Sequence, residues 1–158
     1  TGVLSRSAII DLVNRLCTTH ALSLIVLDID HFKRINDSFG HPKGDQVIVQ
    51  VVTCLRQVVP ASASIGRVGG EEFTIALPGQ DSEAGLQIAQ AVCRAVAEHE
   101  HQLPDSGRIT ASLGVSWMPR GGTFDEAYGL ADQALYAAKR GGRNRVARAE
   151  GRPLDLRA

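Results

Sequence analysis

The chain has 158 residues with 17 basic and 17 acidic side chains, and so carries no formal net charge. This length suits one domain with one hydrophobic core. Neutrality excludes an overall basic field of the kind that attracts nucleic acid or an anionic membrane surface, so we expect neither as a partner of this domain.

Apolar periodicity and turn residues predict ten elements in the order αβααββαβαβ, without internal repeats. The order indicates an α+β fold in which helices cover a mostly antiparallel central sheet. In chain order we predict a helix from a Ser5 or Ser7 cap to about residue 19, a strand at 21–30, a short helix and a Gly/Pro loop within 31–45, a helix at 45–59, strands at 63–68 and 73–77, a helix at 82–100 capped by Ser82, a strand at 109–118, a helix from a Thr123 cap to Gly141-Gly142, and a strand at 144–149.

The segment "DQVIVQVVTCLRQVV" is rich in β-branched residues, which favour strands. Its apolar positions nevertheless recur at spacings of one and three residues, and its polar positions fall between them. That pattern forms one face of a 3.6-residue period, so periodicity overrides propensity and predicts a helix.

The three cysteines, Cys17, Cys54 and Cys93, are widely spaced and lie among apolar neighbours. An odd number without a CxxC pair indicates buried free thiols in a reducing compartment. No apolar run approaches the roughly 18 residues of a membrane span. We therefore expect a cytoplasmic domain. The start at "TGVLSR" without a methionine leads us to expect excision from a longer protein. In that protein we expect an upstream sensory domain, and any membrane anchor would lie outside this domain.

Acidic side chains occur where two predicted strands meet turns. Asp28 and Asp30 end a buried apolar strand, and Glu71 and Glu72 lie at a hairpin tip after Gly69-Gly70. If these strands are neighbours, the carboxylates converge and repel one another. A divalent cation such as Mg²⁺ resolves that repulsion. Asp30 or Glu72 alone is better explained as a solvated acid; the group together favours a metal site.

The two adjacent glycines have two interpretations. Residues without Cβ let backbone N–H groups approach a phosphate and adopt positive φ at little steric cost. A glycine pair is also common in ordinary hairpins.

Four of the histidines, namely His31, His41, His99 and His101, lack the spacing of metal ligands. We expect the first two to pack or to bond within loops, and the last two to be a solvated helix end.

Three segments, "LDIDHFKRINDSFGHPKGD", "RVGGEEF" and "ADQALYAAKRGGRNRV", occur in this order. Together they resemble the GGDEF family of diguanylate cyclases, with the signature in its GGEEF form. The resemblance begins at "TGVLSR" and runs to about Val146. We predict a GGDEF domain over residues 1–148 and a basic tail over 149–158, which we expect to be disordered.

The resemblance implies a ferredoxin-like palm similar to that of nucleotidyl cyclases and polymerases. It also implies condensation of two GTP molecules into cyclic di-GMP, with release of pyrophosphate and with Mg²⁺ or Mn²⁺ as cofactor. Asp28 and Glu71 would be the catalytic metal carboxylates, assisted by the Ile29 backbone carbonyl, and Glu71 would help to deprotonate the ribose 3′-hydroxyl. Glu72 stays open between supporting the turn and binding a second metal.

The resemblance also assigns substrate contacts. Asn36 and Asp45 would bind guanine; an ionised carboxylate suits the guanine N1–H and amine but not the adenine N1 lone pair. Phe32 and Lys33 would lie beside the triphosphate, and Gly69 and Gly70 would leave room for it next to the backbone. Lys139 and Arg143 would bind the β- and γ-phosphates. The alternative for these two residues is a cationic helix end that complements the helix dipole.

The sequence departs from the family pattern at the product-binding motif RxxD. Pro60 and Ala63 stand where many members carry the Arg and the Asp. We therefore expect no product-inhibition site. Ser5 stands where the family usually has Asn, which concerns docking to an upstream domain.

Three functions remain open from the residues. The leading one is a diguanylate cyclase in which each domain holds one GTP, so that catalysis requires a C2 homodimer. The second is a weak or inactive GTP-binding regulatory module. The third is a palm-type cyclase that makes a cyclic mononucleotide.

Overall fold

The computed structural model describes residues 2–101, 103 and 107–150; the predicted tail from residue 151 onward lies outside them. All ten predicted elements are present in the predicted order. The helices are α1 (Arg6–Cys17), α2 (Phe32–Phe39), α3 (His41–Val58), α4 (Ser82–Glu98) and α5 (Phe124–Arg140), and the strands are β1 (Leu22–Ile29), β2 (Ser64–Arg67), β3 (Glu72–Pro78), β4 (Ala111–Met118) and β5 (Val146–Arg148).

The five strands form one sheet in the order β2-β3-β1-β4-β5. The central strand β1 pairs antiparallel with both β3 and β4, and β2 pairs antiparallel with β3. Only the short β5 runs parallel to its neighbour among these pairs. The mostly antiparallel α+β fold is therefore confirmed.

Alternate residues of β1 face opposite helical layers. Ile25, Leu27 and Ile29 belong to a core shared with α3 and α4. Val26 packs instead with Ala131 and Leu135 of α5. Because successive strand residues point to opposite faces, Asp28 is directed to the α5 side of the sheet, two residues after Val26. The alternation thus decides which helix can reach the carboxylate.

Close contact between α5 and the sheet depends on Gly114 of β4. A Cβ at this position would lie 2.0 Å from the backbone oxygen of Ala131, a distance that no side chain tolerates. A glycine is therefore required for the helix to lie directly on the strand. The result is that the C-terminal end of α5 approaches the end of β1.

The helix predicted from apolar periodicity at 45–59 is confirmed, but it begins earlier. α3 starts at His41, and the segment predicted as a Gly/Pro loop forms its first turn. Pro42 is tolerated there because first-turn N–H groups have no partner within the helix. Gly40, with φ of 87°, supplies the break between α2 and α3. The loop prediction was wrong, because a proline in the first turn is compatible with the start of a helix.

Side-chain caps begin three of the helices. Ser5 accepts a hydrogen bond from the Ala8 N–H, and Thr123 accepts one from Glu126, both as predicted. For α4 the cap is Asp81 and not Ser82, which is the first helical residue. None of the helices in the described part of the chain is long and apolar enough to cross a membrane.

Buried polar side chains between helices include one that was predicted to be exposed. His101 is only 8% exposed, so the prediction of a solvated helix end at this residue was wrong. Its Nε2 donates to the Val96 carbonyl at 2.9 Å, and its Nδ1 lies 3.0 Å from the Gln50 side-chain amide. Burial lowers the pKa of His101. The cysteines, by contrast, are buried free thiols as predicted.

Candidate active site

The strand carrying Asp28 lies beside the hairpin carrying the two glutamates. β1 and β3 are paired so that Asp28 is directly opposite Glu72. The Ile29 N–H donates to the Glu71 carbonyl at 3.2 Å, which continues the contact to the tip of the hairpin. The predicted convergence of the acidic strand ends is confirmed.

A cleft of about 180 Å³ opens at this edge of the sheet. It brings together seven of the predicted site residues, together with Asp30 and His31. Glu72, Asn36, Asp45, Gly69 and Gly70 are not among the lining residues. The seven predicted residues that line it are Asp28, Ile29, Phe32, Lys33, Glu71, Lys139 and Arg143.

Lys139, near the end of α5, forms an ion pair with Asp28. Its Nζ donates to Asp28 Oδ2, and the two side chains are 34% and 17% exposed. Because Lys139 compensates the charge of Asp28, repulsion between the carboxylates alone does not require a metal at this edge of the sheet.

Glu72 is held by a tyrosine that sequence reasoning did not single out. The Tyr128 hydroxyl donates to Glu72 Oε1 at 2.6 Å. Burial raises the pKa of the Glu72 carboxyl, and the bond from Tyr128 opposes that increase. Burial and the neighbouring glutamate also raise the pKa of Tyr128, which keeps its hydroxyl protonated as a donor. These contacts favour turn support as the role of Glu72, and its interpretation as a solvated acid was wrong.

The glycine turn is braced by an arginine from the strand before it. Arg67 donates from Nη2 and Nε to the Gly70 carbonyl at 2.6 and 3.1 Å. Neither Gly69 nor Gly70 has a positive φ, so this turn does not use the left-handed backbone that glycine permits. A Cβ at Gly70 would meet no described heavy atom within 4 Å. The open space beside this turn is consistent with the predicted backbone room.

Asn36 and Asp45 lie on adjacent helices joined by a close contact. Asn36 Oδ1 is buried and has no hydrogen-bond partner among the described residues. A Cβ at Gly44 would lie only 1.9 Å from that oxygen, so the absence of a side chain at Gly44 makes room for the amide. Asp45 follows on α3 and is exposed. An orphaned acceptor is costly unless a ligand supplies its donor.

Asp30 was predicted to be solvated when taken alone, and this was wrong. It is 7% exposed and accepts hydrogen bonds from the hydroxyls of Thr110 and Ser112, both at 2.7 Å. The backbone N–H of Asn144 is a third donor, at 3.0 Å. The partners are about 80 and 114 residues away along the chain, which explains why no local pattern indicated them.

The ligand set in the cleft fits a Mg²⁺-type ion. Asp28, Glu71 and Ile29 line the cleft and could offer two carboxylates and a backbone carbonyl to an ion. Within the described residues, no group of three or more His, Cys, Asp or Glu side chains forms a complete metal cage. Mg²⁺ typically uses one or two carboxylates with water and substrate phosphates, so this incomplete set suits it.

The family profile described as "Diguanylate cyclase, GGDEF domain" matches residues 2–145. The chain belongs to the GGDEF domain family. A curated relative, Diguanylate cyclase DgcP of Pseudomonas aeruginosa, is 43% identical over 126 residues, which cover 79% of this chain and 19% of the relative. This GGDEF domain therefore spans about a fifth of that relative's length.

Solved structures agree with this assignment. The GGDEF domain of DgcB from Caulobacter crescentus, in complex with c-di-GMP, has a TM-score of 0.89 and 35% identity, with 96% of this chain and 94% of that chain covered. The active GGEEF domain of a diguanylate cyclase from Vibrio cholerae has a TM-score of 0.88 and 34% identity, with 94% and 99% covered. These likenesses confirm the recognised family and its fold.

The positions of the missing RxxD motif border a separate groove of about 500 Å³. Pro60 and Ala63 line it, together with the N-terminal segment at Gly2. Arg56 also lines the groove, but its guanidinium donates to the Gly2 carbonyl. A product-binding pair of the RxxD type is absent at these two positions.

Proposed function

We propose that this GGDEF domain is a diguanylate cyclase that condenses two GTP molecules into cyclic di-GMP with release of two pyrophosphates. The observation that carries the proposal is the cleft that combines Asp28 and Glu71 with Lys139 and Arg143. It unites carboxylates for a metal with cations for phosphates at the edge of a palm-like sheet. The names of the relatives support the same activity.

Asp28, Glu71 and the Ile29 carbonyl would hold Mg²⁺ or Mn²⁺. When bound, the ion would lower the pKa of the ribose 3′-hydroxyl and neutralise charge at the α-phosphate. Glu71 is also the residue proposed to accept the hydroxyl proton. Glu72 supports the turn through Tyr128, so its role is to orient the neighbouring Glu71.

Lys139 and Arg143 are proposed to bind the β- and γ-phosphates. Lys139 already pairs with a carboxylate, so its contact with a phosphate replaces its contact with Asp28 and releases that carboxylate for the metal. Phe32 and Lys33, at the start of α2, would lie beside the triphosphate. Gly69 and Gly70 are proposed to let the triphosphate approach the backbone of their turn, and the space beside Gly70, where an added Cβ would meet no described atom within 4 Å, supports this.

Asn36 and Asp45 are proposed to recognise guanine. The buried, unpartnered Asn36 oxygen gains a donor when a base binds beside it. The Asp45 carboxylate accepts from the N1–H and the exocyclic amine of guanine. Adenine would direct a lone pair at this carboxylate, at a cost of about 2 kcal/mol.

Each domain holds one GTP in this scheme, so two clefts must face one another in a C2 homodimer. The chain covers only part of its relatives' length, and we propose that an upstream sensory domain in the parent protein controls this pairing. We also propose that the domain is cytoplasmic, where GTP is available, and that residues 1–148 form the catalytic unit.

The direct test is to incubate the domain with GTP and Mg²⁺ or Mn²⁺ and to identify the products by chromatography. Cyclic di-GMP supports the proposal. Retained GTP binding without product supports an inactive regulatory module, and a cyclic mononucleotide supports a different cyclase. Glu71→Gln is the matched control, because it keeps the size of the side chain and removes its charge.

A further inference from the structure

Asp30 is a buried carboxylate to which the proposed chemistry gives no role. Its Oδ1 accepts from the Ser112 hydroxyl, and its Oδ2 accepts from the Thr110 hydroxyl and the Asn144 N–H. A buried carboxylate is stable only with such donors, since burial removes it from water. Both of its oxygens are occupied by the protein, which distinguishes Asp30 from the neighbouring Asp28.

One of these donors belongs to a strained turn. Arg143 and Asn144 have φ of 63° and 47°, in the left-handed region that costs free energy for residues other than glycine. The turn follows the end of α5, where the Arg143 N–H donates to the Ala138 carbonyl at 3.1 Å. Such backbone persists only where its surroundings hold it. The bond from the Asn144 N–H to Asp30, the residue that follows β1, ties this turn to the end of that strand.

We infer that Asp30 is a positioning residue that holds the Arg143–Asn144 turn, so that the Arg143 guanidinium stays at the cleft beside Asp28. The inference rests on the proposed function, in which Arg143 binds the β- and γ-phosphates. Asp30 acts through the backbone of residue 144 and not by contact with GTP. Ser112 and Thr110 fix the carboxylate in turn, because β4 lies next to β1.

Two substitutions separate positioning from a role for charge. Asp30→Ala removes every acceptor and frees the turn. Asp30→Asn keeps a carbonyl oxygen for Thr110 and Asn144 and directs its amide N–H toward the Ser112 hydroxyl, so it keeps the turn and loses the charge. Asp11→Asn, at an exposed position of α1, is the matched control for removing one carboxylate.

Calorimetry with GTP and with GMP, in the presence of Mg²⁺, measures the effect; GTP is supplied in its 3′-deoxy form, which lacks the reacting hydroxyl, so that binding is measured without turnover. GMP lacks the phosphates assigned to Arg143. We expect Asp30→Ala to weaken GTP binding about tenfold, the size of one charge-assisted phosphate contact, with GMP binding unchanged within about twofold. Asp30→Asn should stay within about threefold of the unsubstituted chain for GTP. Combined with Arg143→Ala, Asp30→Ala should add almost no further loss.

Amide hydrogen exchange gives a readout that does not depend on nucleotide. In Asp30→Ala, residues 141–146 should lose protection while β4 keeps its own. If this variant does not fold, Asp30→Ser takes its place, because its hydroxyl keeps a polar group in the buried site but stops short of the position of Oδ2, which accepts from the Asn144 N–H.

The positioning role is overturned if GTP and GMP binding fall equally, if Asp30→Asn is as harmful as Asp30→Ala, or if residues 141–146 keep their protection. Equal harm from both variants would instead indicate a charge or metal-ligand role. If the unsubstituted chain binds no GTP at all, the proposed function is overturned as well. Failure of the proposed function is therefore seen in the unsubstituted chain, whereas failure of the positioning role is seen only in the Asp30 variants.

Discussion

Gly44→Ala tests whether the contact between α2 and α3 sets the position of Asn36, which is proposed to bind guanine. The new Cβ would lie 1.9 Å from Asn36 Oδ1 and 3.2 Å from Phe32 Cζ. Ordinary contacts begin at 3.4 Å, so the Asn36 amide must retreat by about 1.5 Å. The side chain can rotate away, and the substitution therefore displaces the amide more than it disrupts the fold.

Stability and binding should respond differently to this substitution. Replacing glycine by alanine within a helix gains about 1 kcal/mol, which offsets much of the 1–3 kcal/mol typical of overpacking. We expect a free energy of unfolding within about 1 kcal/mol of the unsubstituted chain. GTP binding should fall about tenfold, because a displaced hydrogen-bonding group loses most of its contribution.

Urea unfolding and calorimetry with GTP measure the two quantities. Gly129→Ala is the matched control, since Gly129 lies within α5, is exposed, and has no described atom within 4 Å of an added Cβ. It should gain up to about 1 kcal/mol of stability with unchanged GTP binding. If Gly44→Ala binds GTP as tightly as the unsubstituted chain, the assignment of Asn36 to the substrate is refuted.

Four further substitutions or conditions have definite expected outcomes. Asp45→Ala should remove about 2 kcal/mol of preference for GTP over ATP, roughly 30-fold in relative affinity, and competition binding that still favours GTP to the same extent contradicts this. Tyr128→Phe should raise the pKa of Glu72 further, because the opposing hydrogen bond is lost, and should cost about 1 kcal/mol in urea unfolding; NMR titration of an unshifted Glu72 would count against it. The pKa of His101 is lowered in the folded state, so the unfolded state binds its proton more readily; the stability tied to this residue is complete above about pH 6.5 and is lost as pH falls through that value. Unfolding at pH 7.5 and 5.5 should show a smaller difference in His101→Gln than in the unsubstituted chain, and an equal difference argues against the buried neutral imidazole. Because Pro60 and Ala63 replace the RxxD residues, added cyclic di-GMP should not inhibit turnover non-competitively, and potent inhibition of that kind overturns the prediction.

Sequence patterns predicted the order and type of every element because the apolar periodicity is strong. The clearest case is α3, whose apolar face identified a helix despite residues that favour strands. The sequence also placed Asp28 at a strand end and Glu71 at a hairpin tip, since a buried strand and a hairpin carry recognisable local signals; that the two strands are neighbours is shown by the structure. The resemblance to a family then supplied the roles of individual residues.

Contacts between distant segments could not be predicted in this way. Asp30 and His101 both appeared exposed, because nothing within a few residues of either indicates a hydroxyl, a carbonyl or a packed helix. Asp30 is bonded by Ser112 of β4, and His101 is bonded by Gln50 of α3 as well as by the carbonyl of Val96 in the preceding helix. The ion pair between Lys139 and Asp28 likewise joins residues 111 positions apart. Such tertiary partners follow from sheet order and helix placement, which local periodicity does not encode.

In the proposed reaction, two domains with this cleft join two GTP molecules. The decisive experiment quantifies pyrophosphate and nucleotide products from the purified chain with GTP and Mn²⁺, beside Glu71→Gln. We expect two pyrophosphates for each cyclic di-GMP, a rate per domain that rises with domain concentration, and no product from the variant. One pyrophosphate for each cyclic mononucleotide, or equal turnover by Glu71→Gln, would contradict it.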